Sequence, residues 1–198
     1  ALTAARVAAA GAFAAAITER LPELAMPNAT FSITLEPAGL GEDGADDVIF
    51  MLAANAGEPA RPLAKTASGG ELSRTMLAIR VVLADREALI GGPATLVFDE
   101  VDAGIGGEAG LAIGRALAAL ARDRQVLCVT HLGQVAACAG TQLVVSKREV
   151  GGRTIGDVAI VLDDARVSEL ARMLGGVDSD SARQHARELL ADAESARA

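Results

Sequence analysis

Two short apolar runs, each ending in polar residues, constrain the fold of this chain more than any other feature. Leu96-Val97-Phe98 runs into Asp99-Glu100, and Val126-Leu127-Cys128-Val129 runs into Thr130-His131. Continuous apolar runs of this length predict strands, here residues 95–98 and 125–130, buried on both faces. The first follows a helix breaker, Gly91-Gly92-Pro93, and residues 107–121 between the two predict a helix. Strand, helix and strand in that order predict a parallel sheet with helices on its faces. In open sheets of that kind, ligands bind at the carboxyl ends of the strands. Both runs place their polar residues there.

The rest of the chain reads around this centre. Residues 2–20 predict an Ala-rich helix closed by Leu21-Pro22, because the residue before a proline is pushed out of helical geometry. Residues 30–35 alternate in the period-2 manner of a half-buried strand, and residues 48–53 predict its antiparallel partner. Between them, the acidic, glycine-containing residues 39–47 predict an exposed turn, and residues 55–62 a loop. Leu72, Met76, Leu77, Ile79, Val82 and Leu83 keep helical spacing, which predicts a helix over residues 70–89. A short helix is expected at 133–138, strands at 142–147 and 154–162 joined through Gly151-Gly152, and closing helices at 167–174 and 179–192.

At 198 residues, one domain with a sizeable core is expected. Four Phe, no Trp and no Tyr leave that core to Ala, Val and Leu, and argue against a base-stacking platform for single-stranded nucleic acid. A net charge of −8 argues against a dedicated nucleic-acid module, whose affinity would come from phosphate neutralisation. Cys128 and Cys138 make neither a disulfide framework nor a metal spacing, which fits a reducing compartment, and Cys128 is expected as a small core hydrophobe. Residues 7–17 imitate a signal peptide, but their apolar members are nearly all Ala and Glu19, Arg20 and Glu23 follow at once; they read as an ordinary helix, not a membrane span. A start at Ala rather than Met points to a fragment or a processed product.

Three elements carry chemistry. Ser68-Gly69-Gly70-Glu71 opens the long helix, where paired glycines allow close backbone approach and unpaired N–H groups attract an anion. The same four residues are also a capping box, a common device, and the two readings are compatible. Asp99 could hold Mg²⁺ and Glu100 could take a proton from an attacking water; a strand running into a polar loop accounts for the same pair. His131 would lie beside Glu100 if the two strands are neighbours. A phosphate-binding loop would need glycines at positions 59 and 64 before Lys65-Thr66, and Pro59 and Ala64 stand there. Lys65-Thr66 is therefore a coincidental pair.

Taken in order, these elements resemble the ABC ATPases, and three longer segments are similar to the RecN family of bacterial DNA-repair proteins in the SMC-like branch. The segments are residues 63–74 around Ser68-Gly69-Gly70-Glu71, residues 98–107 around Asp99-Glu100-Val101-Asp102-Ala103-Gly104, and residues 125–132 ending in Thr130-His131-Leu132. Gly57-Glu58-Pro59 and Ala171-Arg172-Met173-Leu174-Gly175-Gly176 match as well, whereas Gly133 stands where the family usually has Pro.

The resemblance implies an α/β fold: the C-terminal lobe of an ABC-type ATPase head, with a mostly parallel sheet flanked by helices. A coiled-coil-derived helix and a small antiparallel strand pair would precede it. Residues 1–22 would end the returning coiled coil and residues 23–198 would form the lobe, with the P-loop half of the same head upstream. Ser68, Gly69, Gly70 and Glu71 would form the signature loop that meets the γ-phosphate of ATP held by a partner head. Asp99 would support Mg²⁺, Glu100 would polarise the attacking water, Asp102 would sit at the dimer interface near it, and His131 would sense the γ-phosphate. Implied partners are the Walker A half, a second head in a homodimer, and DNA through the full-length protein, in the cytoplasm at the nucleoid. Arg74 and Arg80 read as a solvated helix face, with DNA or interface contact as the alternative. The head of another SMC-like ATPase, or a non-hydrolysing interaction domain of the same fold, would share most of these motifs.

Overall fold

In a computed structural model, the elements follow in the order α1 (Leu2–Arg20), β1 (Thr30–Gly41), β2 (Gly44–Ala53), β3 (Arg61–Pro62), α2 (Gly69–Ile90), β4 (Thr95–Phe98) and α3 (Gly107–Leu120). They continue with β5 (Gln125–Cys128), α4 (Gly133–Ala137), β6 (Gln142–Val150), β7 (Arg153–Val161), α5 (Asp163–Gly175) and α6 (Asp180–Ser195). The structure describes residues 1–65, 68–90, 93–150 and 152–195, and only the backbone of 85–90 and 150. Gly91-Gly92 of the expected helix break and Gly151 of the expected turn lie outside the described residues, as does Thr66 of the Lys65-Thr66 pair. The chain divides into two compact units, Ala1–Ile105 with Leu120–Val129, and Gly106–Ala119 with Thr130–Ala198.

In the first unit β1 and β2 pair antiparallel from Thr30↔Ala53 to Gly41↔Gly44, with an irregularity between Pro37 and Gly41. Phe31 and Leu52, opposite one another, are buried, and the Phe31 ring packs at 5.4 Å from Phe50. The hairpin is longer than its acidic sequence predicts. Gly44, at φ +102°, supplies the left-handed residue that a tight turn requires, so the ladder runs through residues expected as an open turn. Asp46 in that stretch is bound by α1: it accepts from Thr3 Oγ1 at 2.7 Å and pairs with Arg6 at 3.2 Å. Residues 61–62, expected within a loop, pair instead with β2 as a two-residue edge strand, a place where Pro62 needs no donor.

By length and mean hydropathy α1 could cross a bilayer. Here its carboxyl half packs on the hairpin. Thr18 Oγ1 accepts the Phe31 N–H at 3.1 Å and donates to the Phe31 carbonyl at 3.3 Å, while Ile17 and Leu21 are fully buried. Thr75, Leu77 and Ala78 of α2 are also fully buried.

Strands β4 and β5 are parallel, in register from Thr95↔Gln125 to Phe98↔Cys128, as the strand–helix–strand order requires. Burial on both faces is not observed. Leu96 and Phe98 face the core, but Val97 is 67% exposed and Leu127 and Val129 are exposed beside it. A continuous apolar run shows that both faces suit burial; what covers the second face need not come from this stretch of chain.

In the second unit α4, α5 and α6 share a core of Ala136, Ala137, Val167, Leu170, Ala171, Ala186 and Leu189. Arg166 Nη2 donates to the carbonyls of Ala136, Ala137 and Ala139, the last at 2.7 Å, and so closes the carboxyl end of α4. Helix α3 meets α4 through Gly114, where an added Cβ would stand 2.7 Å from Cys138 Sγ. Strands β6 and β7 form an antiparallel hairpin from Gln142↔Val161 to Val150↔Arg153.

Candidate functional site

The site of the first unit is assembled from the start of α2 and the chain that leaves β4. Ser68 precedes the helix, and its Oγ accepts the Glu71 N–H at 3.3 Å, so the S-x-x-E sequence does act as a helix cap. Gly69 is solvent-exposed and Gly70 buried. A 22-residue helix therefore presents its amino end, with its partial positive charge, next to a residue that carries no side chain.

At the end of β4 the backbone turns sharply. Glu100 has φ +56°, in the left-handed region that side chains other than Gly seldom occupy, and its carbonyl accepts the Ala103 N–H at 3.1 Å. Asp99 and Glu100 are exposed, whereas Val101 and Asp102 are buried, Asp102 at 2%. Asp99 Oδ1 accepts the Glu100 N–H at 2.9 Å, which turns the Asp99 carboxylate back along its own backbone.

Helix and turn are in direct contact. A Cβ on Gly69 would collide with the Glu100 carboxylate. A Cβ on Gly70 would stand 3.1 Å from both Ala103 Cβ and its carbonyl oxygen, and 3.0 Å from Arg74 Nη1. Ser73 Oγ donates to the Asp99 carbonyl at 2.7 Å, and Arg74 Nη1 to the Ala103 carbonyl at 2.9 Å.

Arg74 is thus not on a solvated face. It is 7% exposed, and burial pushes its pKa down from the ordinary arginine value, an effect that the charge of Glu71 opposes. Composition around Arg74 does not reveal this. The available signal is Gly70 one helical turn earlier, which leaves room for the guanidinium to fold back over it. Ser73 was likewise not singled out by its sequence.

Cys128, on β5, is half-buried, and its thiol is pushed up to about 12 by burial first and then by the charges of Asp102 and Asp99. It is held neutral beside the acids.

His131 belongs to the second unit and is exposed. The Thr130 hydroxyl accepts the Leu132 N–H at 3.0 Å, a local turn that fixes the backbone on both sides of the histidine. Gly133, where the resembled family has Pro, starts α4 against Leu174, whose Cγ would lie 2.9 Å from an added Cβ. The structure therefore brings Ser68, Gly69, Gly70, Glu71, Asp99, Glu100 and Asp102 together in one unit and places His131 in the other.

No protein-family model matches the chain. It is 50% identical over 96% of its length to the DNA repair protein RecN of Streptomyces coelicolor. It is 42% identical over 88% of its length to RecN of Halalkalibacterium halodurans, and 47% over 85% to RecN of Deinococcus radiodurans. The chain spans about a third of the length of these curated relatives, 35%, 31% and 29% respectively. Among solved structures it resembles the Smc head domain with a coiled coil and joint from Pyrococcus yayanosii, at TM-score 0.55 and 20% identity over 81% of this chain and 28% of that one. It also resembles a chain from a study of ATP-driven dimerization and DNA-stimulated activation of SMC ATPases, at TM-score 0.50 and 16% identity over 83% of this chain and 92% of that one. These two likenesses establish the fold alone, an α/β architecture like that of the Smc head domain.

Proposed function

Over the third of its relatives' length that it spans, this chain belongs to the RecN family of DNA repair proteins, and from that premise we propose that it is the signature-bearing part of an ATP-hydrolysing head. Residues 1–22 end a coiled coil and residues 23–198 form the C-terminal lobe. A Walker A half of the same head completes one ATP site, and the signature loop of this lobe serves the site of a second head in a homodimer. The full-length protein acts on DNA at double-strand breaks, in the cytoplasm at the nucleoid.

The observation that carries this reading is the packing of the Ser68-Gly69-Gly70 helix start on the Asp99-Glu100 turn. Phosphoryl transfer depends on position and on charge stabilisation more than on covalent chemistry by the protein. Ser68, Gly69 and Gly70 offer N–H and hydroxyl donors to the γ-phosphate of ATP held by the second head, with Glu71 closing the cap behind them. At the ATP site of its own head, Glu100 polarises the attacking water, Asp102 lies at the dimer interface near that water, and His131 contacts the γ-phosphate and senses its loss.

Among the described residues no group of three or more His, Cys, Asp or Glu converges as a metal cage. Mg²⁺ fits this donor set nonetheless, since it is commonly held by one or two carboxylates plus substrate phosphates; Asp99 is the exposed acid that would contribute. When bound, Mg²⁺ neutralises charge building on the phosphate oxygens.

The test is reconstitution. The isolated chain should show negligible ATP turnover, and addition of the Walker A half should restore it. Robust turnover by the isolated chain would contradict a site divided between two pieces.

A further inference from the structure

The turn that carries Glu100 is held at both ends by consecutive residues of α2. Before Glu100, the Asp99 carbonyl accepts the Ser73 hydroxyl at 2.7 Å; after it, the Ala103 carbonyl accepts Arg74 Nη1 at 2.9 Å. The turn itself is closed by the Ala103 N–H on the Glu100 carbonyl at 3.1 Å, and Glu100 occupies a left-handed conformation. A backbone in that region persists only where its surroundings over-determine it. Ser73 and Arg74 supply that determination.

Burying Arg74 carries a free-energy cost. Its guanidinium is buried, and Nε has no hydrogen-bond partner, so a charged group is desolvated with one donor unsatisfied. A Cβ at position 70 would crowd it at 3.0 Å from Nη1. The same glycine is part of the helix start read above as facing a phosphate. One residue thus serves both the approach of a phosphate and the passage of the guanidinium.

We propose that Ser73 and Arg74 are positioning residues that couple the signature helix to Glu100. This rests on the reading of the chain as a head lobe with its signature facing the ATP of a second head. The coupling joins two different ATP sites, because α2 meets the nucleotide of the partner while Glu100 serves the nucleotide of its own head. Engagement of a phosphate at Gly69-Gly70 shifts the first turn of α2, and the two side chains carry that shift to the backbone on either side of Glu100. Turnover at one site then depends on occupancy of the other.

The experiment uses the full-length protein with Ser73→Ala, Arg74→Ala and Arg74→Lys, with Glu100→Gln as a control. Ser73→Ala removes a single hydroxyl and keeps the variant set informative if Arg74→Ala does not fold. Ser73→Ala and Arg74→Ala are expected to lower kcat about ten- to hundredfold with little change in KM for ATP. They should also bring the Hill coefficient for ATP down towards one, and Arg74→Lys, which keeps a donor, should recover part of both. Unchanged kcat and Hill coefficient in folded Ser73→Ala would overturn the proposal, as would a raised KM with unchanged kcat. Failure of the underlying reading looks different: wild type itself would then lack ATP turnover, or Glu100→Gln would hydrolyse ATP normally.

Discussion

The Glu100 carboxylate lies against Gly69, on a turn whose preceding carbonyl, that of Asp99, is bound by Ser73. Any side chain at position 69 must displace that carboxylate or the turn that carries it. Gly69→Ala in the full-length protein is expected to lower ATP turnover on the order of a hundredfold by misplacing Glu100. Thermal unfolding should show little loss, because Ala is a better helix former than Gly. Turnover equal to wild type would show that the contact has no part in catalysis.

Ser68 caps α2 through the Glu71 N–H. Ser68→Ala should cost about 1 kcal/mol of stability, as loss of a helix cap usually does. If the hydroxyl also meets a phosphate, ATP-dependent dimerisation should weaken by more than this loss explains, while Ser68→Thr retains both. Denaturant unfolding and sedimentation with and without ATP separate the two effects.

Cys128 should be a poor nucleophile. With its pKa pushed up to about 12, it carries little thiolate at neutral pH, and alkylation by iodoacetamide should be slower than for a solvent-exposed cysteine, whose pKa is about 8.5. Peptide mass spectrometry of partly alkylated native protein reads this directly. The sign of the linkage follows: above the unfolded pKa the unfolded chain loses a proton that the folded chain keeps. Stability contributed by the neutral thiol is therefore complete at neutral pH and is lost as pH rises from about 8.5 towards 12. Labelling of Cys128 as fast as a free thiol would contradict its burial beside Asp102 and Asp99.

Leu170 is fully buried at the centre of the α4–α5–α6 core. Leu170→Ala should destabilise that unit by about 2–5 kcal/mol, the range for a buried leucine that leaves a cavity. Urea unfolding of the chain measures it.

Much of this architecture was legible in local sequence because period and breakers act locally. The helix read over residues 70–89 is Gly69–Ile90, and the strands expected at 95–98 and 125–130 are Thr95–Phe98 and Gln125–Cys128, paired in parallel. The longer hairpin was missed because a positive φ at Gly44 lets acidic residues continue a ladder that their charge suggests they should leave. The exposed side of Val97 and Leu127 was missed because an apolar run reports what its faces tolerate, not what covers them. Arg74 was misread for the opposite reason. An arginine on a helix is solvated by default, and here the absence of a side chain at Gly70 leaves room for it to turn inward. The expected meeting of His131 with Glu100 depends on the arrangement of two separate units, which no local pattern encodes.

The most direct measurement is made on Glu100→Gln in the full-length protein, comparing ATP turnover and mass in solution with and without ATP. If Glu100 is the base of a site shared between two heads, turnover should fall on the order of a hundred- to ten-thousandfold and ATP should hold the variant as a dimer. Turnover at the wild-type rate, with no increase in dimer on adding ATP, would contradict the assignment of this lobe as the part that fires on ATP held elsewhere.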